Sequence, residues 1–127
     1  MSANPQLIAI LDDSPTVRQL LTSLLEDAGH EVRACASWSD LEQALRSSQP
    51  DLVLLDVEMP DIVGDHIGFA IKRAHPELRV VYLSDHDEST LRAMSERTGT
   101  DGFIRKSSDP EQLLQDIESE LSRGPTC

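Results

Sequence analysis

The sequence is short of the residues that staple small proteins together. It has two cysteines, Cys35 and Cys127, with neither metal-ligand spacing nor a disulfide framework. A disulfide-built scaffold is therefore excluded, and a reducing, cytoplasmic setting is expected. Aromatic residues make up only 3%. The single tryptophan, Trp38, opens the second expected helix, and packing is its expected role. No apolar run approaches the roughly 20 residues that a membrane span requires. The N-terminal stretch MSANPQL lacks a basic segment followed by an apolar core, so no secretory signal is expected. Basic residues are scarce: 11 against 23 acidic ones, for a net charge of −12. A field of that sign repels nucleic acid and anionic lipid, so neither is expected as a direct partner. Only Lys72 and Lys106 are lysines, so each calls for a reason. There is no internal repeat and no low-complexity tract.

What remains is ordinary for one soluble globular domain: 127 residues, 39% hydrophobic and 27% charged. Short apolar runs alternate with helical periodicity. Residues 6–11 form a first strand, followed by Asp12-Asp13. Ser14 caps a helix with Pro15 at its first position. Val17, Leu20, Leu21, Leu24 and Leu25 give that helix an apolar stripe, and Gly29 ends it. A second strand is expected over 32–36. Ser37 or Ser39 caps a helix with Leu41, Ala44 and Leu45. Residues 52–55 are a continuous apolar strand ending in Asp56. Residues 57–64 read as a loop punctuated by Pro60 and Gly64, then a helix carries Ile67, Ala70, Ile71 and Ala74. Residues 79–83 form a fourth strand ending at Ser84, and Asp87 caps a helix closed by Gly99. Residues 102–105 form a short fifth strand ending at Lys106. Ser108 and Glu111 have capping-box spacing. Leu113, Leu114, Ile117 and Leu121 face the core, and Glu111, Asp116, Glu118 and Glu120 form an expected solvated acidic face. The domain is expected over 1–122, with 123–127 as a tail or the start of a linker.

Five β–α units with continuous apolar strands imply an α/β fold, a parallel sheet covered on both faces. Ligands of such sheets bind outside the carboxyl ends of the strands. Those ends carry Asp12 and Asp13, Asp56, Ser84 and Lys106. In the common strand order 2-1-3-4-5, three carboxylates, a hydroxyl and an ammonium gather at one edge. Crowded carboxylates repel one another, and an all-oxygen set with room for water suits Mg²⁺ better than Zn²⁺. A carboxylate can act as a nucleophile toward phosphorus, lysine neutralises phosphate oxygens, and a serine hydroxyl donates to one. Taken singly, each has a blander reading: a helix cap, a surface charge or a turn residue.

Jointly these residues resemble the receiver domain of two-component response regulators, similar to the chemotaxis response regulators. The matching stretches are Ile10-Leu11-Asp12-Asp13-Ser14; Leu54-Leu55-Asp56-Val57-Glu58-Met59-Pro60 with Gly64; Ser84; and Phe103-Ile104-Arg105-Lys106. They span about residues 6–122. The resemblance implies the flavodoxin-like fold with order 2-1-3-4-5 and a phosphoacceptor switch. Asp56 would take a phosphoryl group from a histidine kinase or phosphotransfer protein. Asp12, Asp13, Asp56 and the backbone carbonyl of Glu58 would serve Mg²⁺, Asp12 through water. Lys106 would pair with the phosphate. Ser84 would move to bond a phosphoryl oxygen, and Phe103 would turn inward into the space it leaves. That motion would alter the surface of helix 4, strand 5 and helix 5, which contacts an unknown downstream protein or forms a homodimer.

Two positions depart from the family pattern. Asp85 stands where a small residue is usual, which adds a fourth carboxylate and predicts slow phosphorylation by small anionic donors. Ser107 replaces the proline that commonly follows the lysine, so a cis Lys106–Ser107 bond would cost about 2.5–4 kcal/mol. Glu58 and His86 occupy positions that tune phosphate lifetime in the family. Two other functions are weighed: a phosphorylation-independent pseudo-receiver that only binds protein, and a Mg²⁺-dependent phosphohydrolase, which Glu58 two residues after Asp56 superficially suggests. The second lacks room for a substrate-binding cap domain. The chain is expected to be no enzyme beyond its own phosphorylation and autodephosphorylation.

Overall fold

All five apolar runs become strands because each is flanked by residues that stop or cap a helix. The computed structural model describes residues 6–57, 64–85, 87–106 and 109–123. In chain order it contains β1 (Leu7–Leu11), α1 (Pro15–Asp27), β2 (Glu31–Cys35), α2 (Trp38–Ser47), β3 (Leu52–Asp56), α3 (Gly64–Ala74), β4 (Val80–Ser84), α4 (Glu88–Thr98), β5 (Gly102–Arg105) and α5 (Pro110–Arg123). The sheet is parallel throughout, in the order β2-β1-β3-β4-β5.

Side-chain alternation along the strands divides the core in two. Ala9, Leu11, Val53, Leu55, Val80 and Tyr82 pack with Leu41 of α2 and with Ile67 and Ile71 of α3. Ile8, Ile10, Leu52, Leu54, Val81, Leu83 and Ile104 pack with Leu21 and Leu25 of α1 and Leu113 and Ile117 of α5. Trp38 lies against the first of these clusters, as expected of a packing residue.

The caps follow local chemistry. Ser14 Oγ accepts the Val17 N–H at 3.3 Å, and Pro15 starts α1. Between Ser37 and Ser39, the cap is Ser37, whose Oγ accepts the Asp40 N–H at 3.2 Å. Asp87 Oδ1 accepts the Thr90 N–H at 3.3 Å. The Thr90 and Ser89 hydroxyls, and then that Thr90 N–H, hold the Asp87 carboxyl below its usual range. Gly99 closes α4 with φ of 75°, a left-handed turn that favours glycine.

Several boundaries differ from the sequence reading. β2 starts and ends one residue earlier, because Ser37 starts the next helix and Cys35 is its only buried residue. At α5 the Asp109 carboxylate accepts the Glu111 N–H at 3.0 Å and caps the helix. The expected partner Ser108 lies outside the described residues. α5 continues to Arg123, into the stretch read as a tail. Glu120 does not belong to a solvated face. It is buried, and its Oε1 accepts from Arg79 Nη2 at 2.9 Å, tying α5 to the start of β4. Lys72 also has a structural use. Its ammonium donates to the carbonyls of Pro76 (3.1 Å) and Leu78 (2.8 Å) and to Asp101 Oδ2 (2.9 Å). That knot joins the end of α3 to the starts of β4 and β5, at the end of the strands opposite the functional groups. No helix among the described residues is long and apolar enough to cross a membrane.

Candidate functional site

Strand alternation aims the reactive groups. Asp12, Asp56 and Lys106 continue the series of Ile10, Leu54 and Ile104 on the face of α1 and α5. Ser84 and Phe103 continue the series of Tyr82 on the other face. Because β1 lies beside β3, the Asp12–Asp13 pair meets Asp56. One carboxylate oxygen from each of Asp12, Asp13 and Asp56 lies within 4.8 Å of the others. Asp12 and Asp56 are buried, whereas Asp13 is exposed. Lys106 Nζ approaches from β5, 3.3 Å from Asp56 Oδ1 and 3.7 Å from Asp12 Oδ2. Its backbone N–H donates to the Ser84 carbonyl at 2.8 Å, which fixes where the side chain leaves β5.

Asp12 is strongly constrained. Its N–H donates to the Cys35 carbonyl at 3.1 Å, and its Oδ1 accepts the Ser14 N–H at 2.9 Å. Its carbonyl accepts from Arg18 Nη1 at 2.8 Å. Its Oδ2 is buried and accepts no hydrogen bond among the described residues. Burial raises the Asp12 pKa, and the negative charges of Asp56 and Asp13 add to that rise. The Ser14 N–H and Lys106 oppose it. A buried carboxylate oxygen left without a donor, beside two more carboxylates, is a group that a hard cation would satisfy. The donor set is all oxygen, which fits Mg²⁺. The residues present therefore fit the ion that the sequence suggests.

Ser84 is fully buried at the end of β4, and half-buried Phe103 stands on β5 opposite Tyr82. The guanidinium of Arg92 on α4 lies 5.5 Å from the Phe103 ring centroid, a cation–π contact. Asp85 is exposed. Glu58, Met59, Pro60, His86 and the Lys106–Ser107 bond lie outside the described residues. Cys35 is a buried free thiol, and burial raises its pKa to about 11. Sequence reasoning gave Arg18 no role. The available signal was its place four residues after the cap Ser14, on the turn of α1 that lies against the strand end.

A profile of the response regulator receiver domain matches residues 8–118. The chain belongs to this family. It is 31% identical over 117 residues to protein PilH of Pseudomonas aeruginosa, covering 91% of this chain and 97% of that protein. It is 32% identical over 127 residues to the transcriptional regulatory protein GltR of the same species, covering 98% of this chain but 52% of GltR. Its fold superposes on NtrX from Brucella abortus with a TM-score of 0.84 and 30% identity, covering 94% of this chain and 28% of NtrX. The chain thus matches PilH nearly end to end, but spans about half of GltR and about a quarter of NtrX. Receiver domains are in general signalling modules rather than enzymes acting on external substrates, and this domain has the acidic cluster of that class.

Proposed function

We propose that this domain is a phosphoacceptor switch in which Asp56 takes a phosphoryl group from a phosphohistidine of a histidine kinase or phosphotransfer protein. The observation that carries the reading is the convergence of Asp12, Asp13 and Asp56 within 4.8 Å, with Lys106 Nζ 3.3 Å from Asp56.

A carboxylate oxygen of Asp56 attacks phosphorus in line with the P–N bond. The new O–P bond forms as the P–N bond breaks, and the imidazole leaves with the electron pair. Asp56 is held at the strand end by β3 pairing, so little orientation remains to be found on encounter. Lys106 neutralises the phosphoryl oxygens as a point charge. Ser84 donates its hydroxyl to one of them, and Phe103 turns toward the space that Ser84 vacates. Asp12, Asp13, Asp56 and the backbone carbonyl of Glu58 would hold Mg²⁺, which supplies positive charge to the transferring phosphoryl group. Glu58 and His86 tune the hydrolysis that resets the switch. The altered face of α4, β5 and α5 engages a downstream protein or a second copy of the chain. The free buried thiol of Cys35 suits a cytoplasmic setting. The expected boundary at 122 moves to the end of α5 at Arg123.

The test is intact-mass analysis after incubation with Mg²⁺ and acetyl phosphate, with beryllofluoride binding measured alongside. Addition of one phosphoryl group and tight beryllofluoride binding are expected, both lost in Asp56→Asn. A wild-type protein that binds neither, while folded, is a phosphorylation-independent interaction module. Multiple turnovers of a generic phosphoester would instead make it a phosphohydrolase.

A further inference from the structure

We infer that Arg18 is a positioning residue for the acidic pair: it fixes the Asp12–Asp13 peptide from the α1 side and so sets the cation affinity of the site. This rests on the reading of that cluster as a Mg²⁺ site.

Asp12 stands one residue past β1, where the ladder to β3 has ended at Leu11 and Leu55. Its N–H still reaches the Cys35 carbonyl, but no backbone N–H meets its own carbonyl among the described residues. Arg18 Nη1 takes that carbonyl at 2.8 Å, a charged donor on a partly buried acceptor. Charge-assisted bonds of this kind are about twice as strong as neutral ones. The peptide plane is rigid, so a carbonyl held by Arg18 fixes the plane on which Asp13 begins. Asp13 is the exposed member of the cluster, and its side chain makes no hydrogen bond or ion pair among the described residues.

Arg18 acts on the main chain and not on the carboxylates. It forms no ion pair among the described residues, and it is not among the charges that shift Asp12. Its register comes from the helix itself: its N–H donates to the Ser14 carbonyl at 3.0 Å, one turn from the cap. The Ser14 cap, the Ser14 N–H on Asp12 Oδ1 and the Arg18 bond therefore form one local assembly. It holds Asp12 at its carboxylate and its carbonyl, while the Cys35 carbonyl holds its N–H.

The direction of the effect separates this role from the alternatives. A positive charge near a cation site, acting through space alone, weakens cation binding, so its removal would tighten Mg²⁺. A positioning role gives the opposite sign. The experiment is an NMR titration of amide shifts with MgCl₂ alone, on wild type, Arg18→Gln, Arg18→Lys and Asp13→Asn, at a temperature where circular dichroism shows each folded. Arg18→Gln is expected to weaken Mg²⁺ by about tenfold, the lower end for loss of an outer-shell partner. Arg18→Lys, which keeps one charged donor, is expected to recover part of that loss. Unchanged or tighter binding in both variants overturns the role of Arg18. If Arg18→Gln does not fold, Arg18→Lys decides by the same sign: weaker binding supports the role, unchanged or tighter binding ends it. A wild type that binds no Mg²⁺ while folded overturns the metal-site reading, and the inference with it.

Discussion

Asp12 shows how one residue can be costly to the fold and useful to the site. Its folded-state pKa lies above the ordinary carboxylate value, mainly through burial. For a carboxyl shifted upward, the folded state binds more protons than the unfolded one between the two pKa values. Metal-free stability therefore rises as pH falls through that window, and the full penalty is present above it. Asp12→Asn removes the charge and keeps an oxygen for the Ser14 N–H. At neutral pH without Mg²⁺ it should stabilise the fold by on the order of 1 kcal/mol, about 4 °C in melting midpoint. Calorimetry checks this, and the gap from wild type should narrow on acidification. Asp85 is the second test at this scale. It is exposed, one residue past the end of β4, so it should repel an anionic donor at a distance rather than block it. Asp85→Ala should raise the acetyl phosphate reaction rate about 3–10-fold, and added salt should shrink the difference. Equal rates at low salt would mean that Asp85 has no part in donor access.

Between elements, close contacts matter more than charge. The Tyr82 side chain is fully buried, and its hydroxyl donates to Thr98 Oγ1 at 3.1 Å, linking β4 to α4. A Cβ on Gly68 of α3 would overlap that hydroxyl. Glycine is therefore required there by the tyrosine across from it. Gly68→Ala should destabilise by about 1–3 kcal/mol. Tyr82→Phe should recover part of that loss, although Tyr82→Phe alone is destabilising. Chemical denaturation of the two single variants and the double variant measures the coupling. Additive losses would mean that α3 shifts to make room.

The strand ends were legible because they obey local rules. Apolar alternation aims Asp56 with Leu54 and Lys106 with Ile104, and the sheet edge does the rest. The caps Ser14 and Asp87 were legible for the same reason. Glu120 was not: on α5 it has the sequence character of its exposed acidic neighbours, and only closure of the fold brings Arg79 to it. Asp101 and Arg18 were hidden similarly. Each satisfies main-chain groups that become orphans only once neighbouring elements have met. β2 slipped by one residue because four of its five positions are not buried, which leaves a weak pattern.

At the scale of the whole molecule, the only two lysines stand at opposite ends of the strands, and each is held by carboxylates. Their side chains are 16% and 20% exposed. A lysine-specific endoprotease thus has two possible cleavage points, and neither is freely offered by the native chain. Scission after Lys72 reports opening of the edge where α3 meets β5, whereas scission after Lys106 reports loosening beside the acidic cluster. Mg²⁺ with beryllofluoride should therefore slow cutting at Lys106 and leave Lys72 unaffected, as read from two fragment masses. The scarcity of lysine thereby makes limited digestion a two-channel gauge of which end of the domain breathes first.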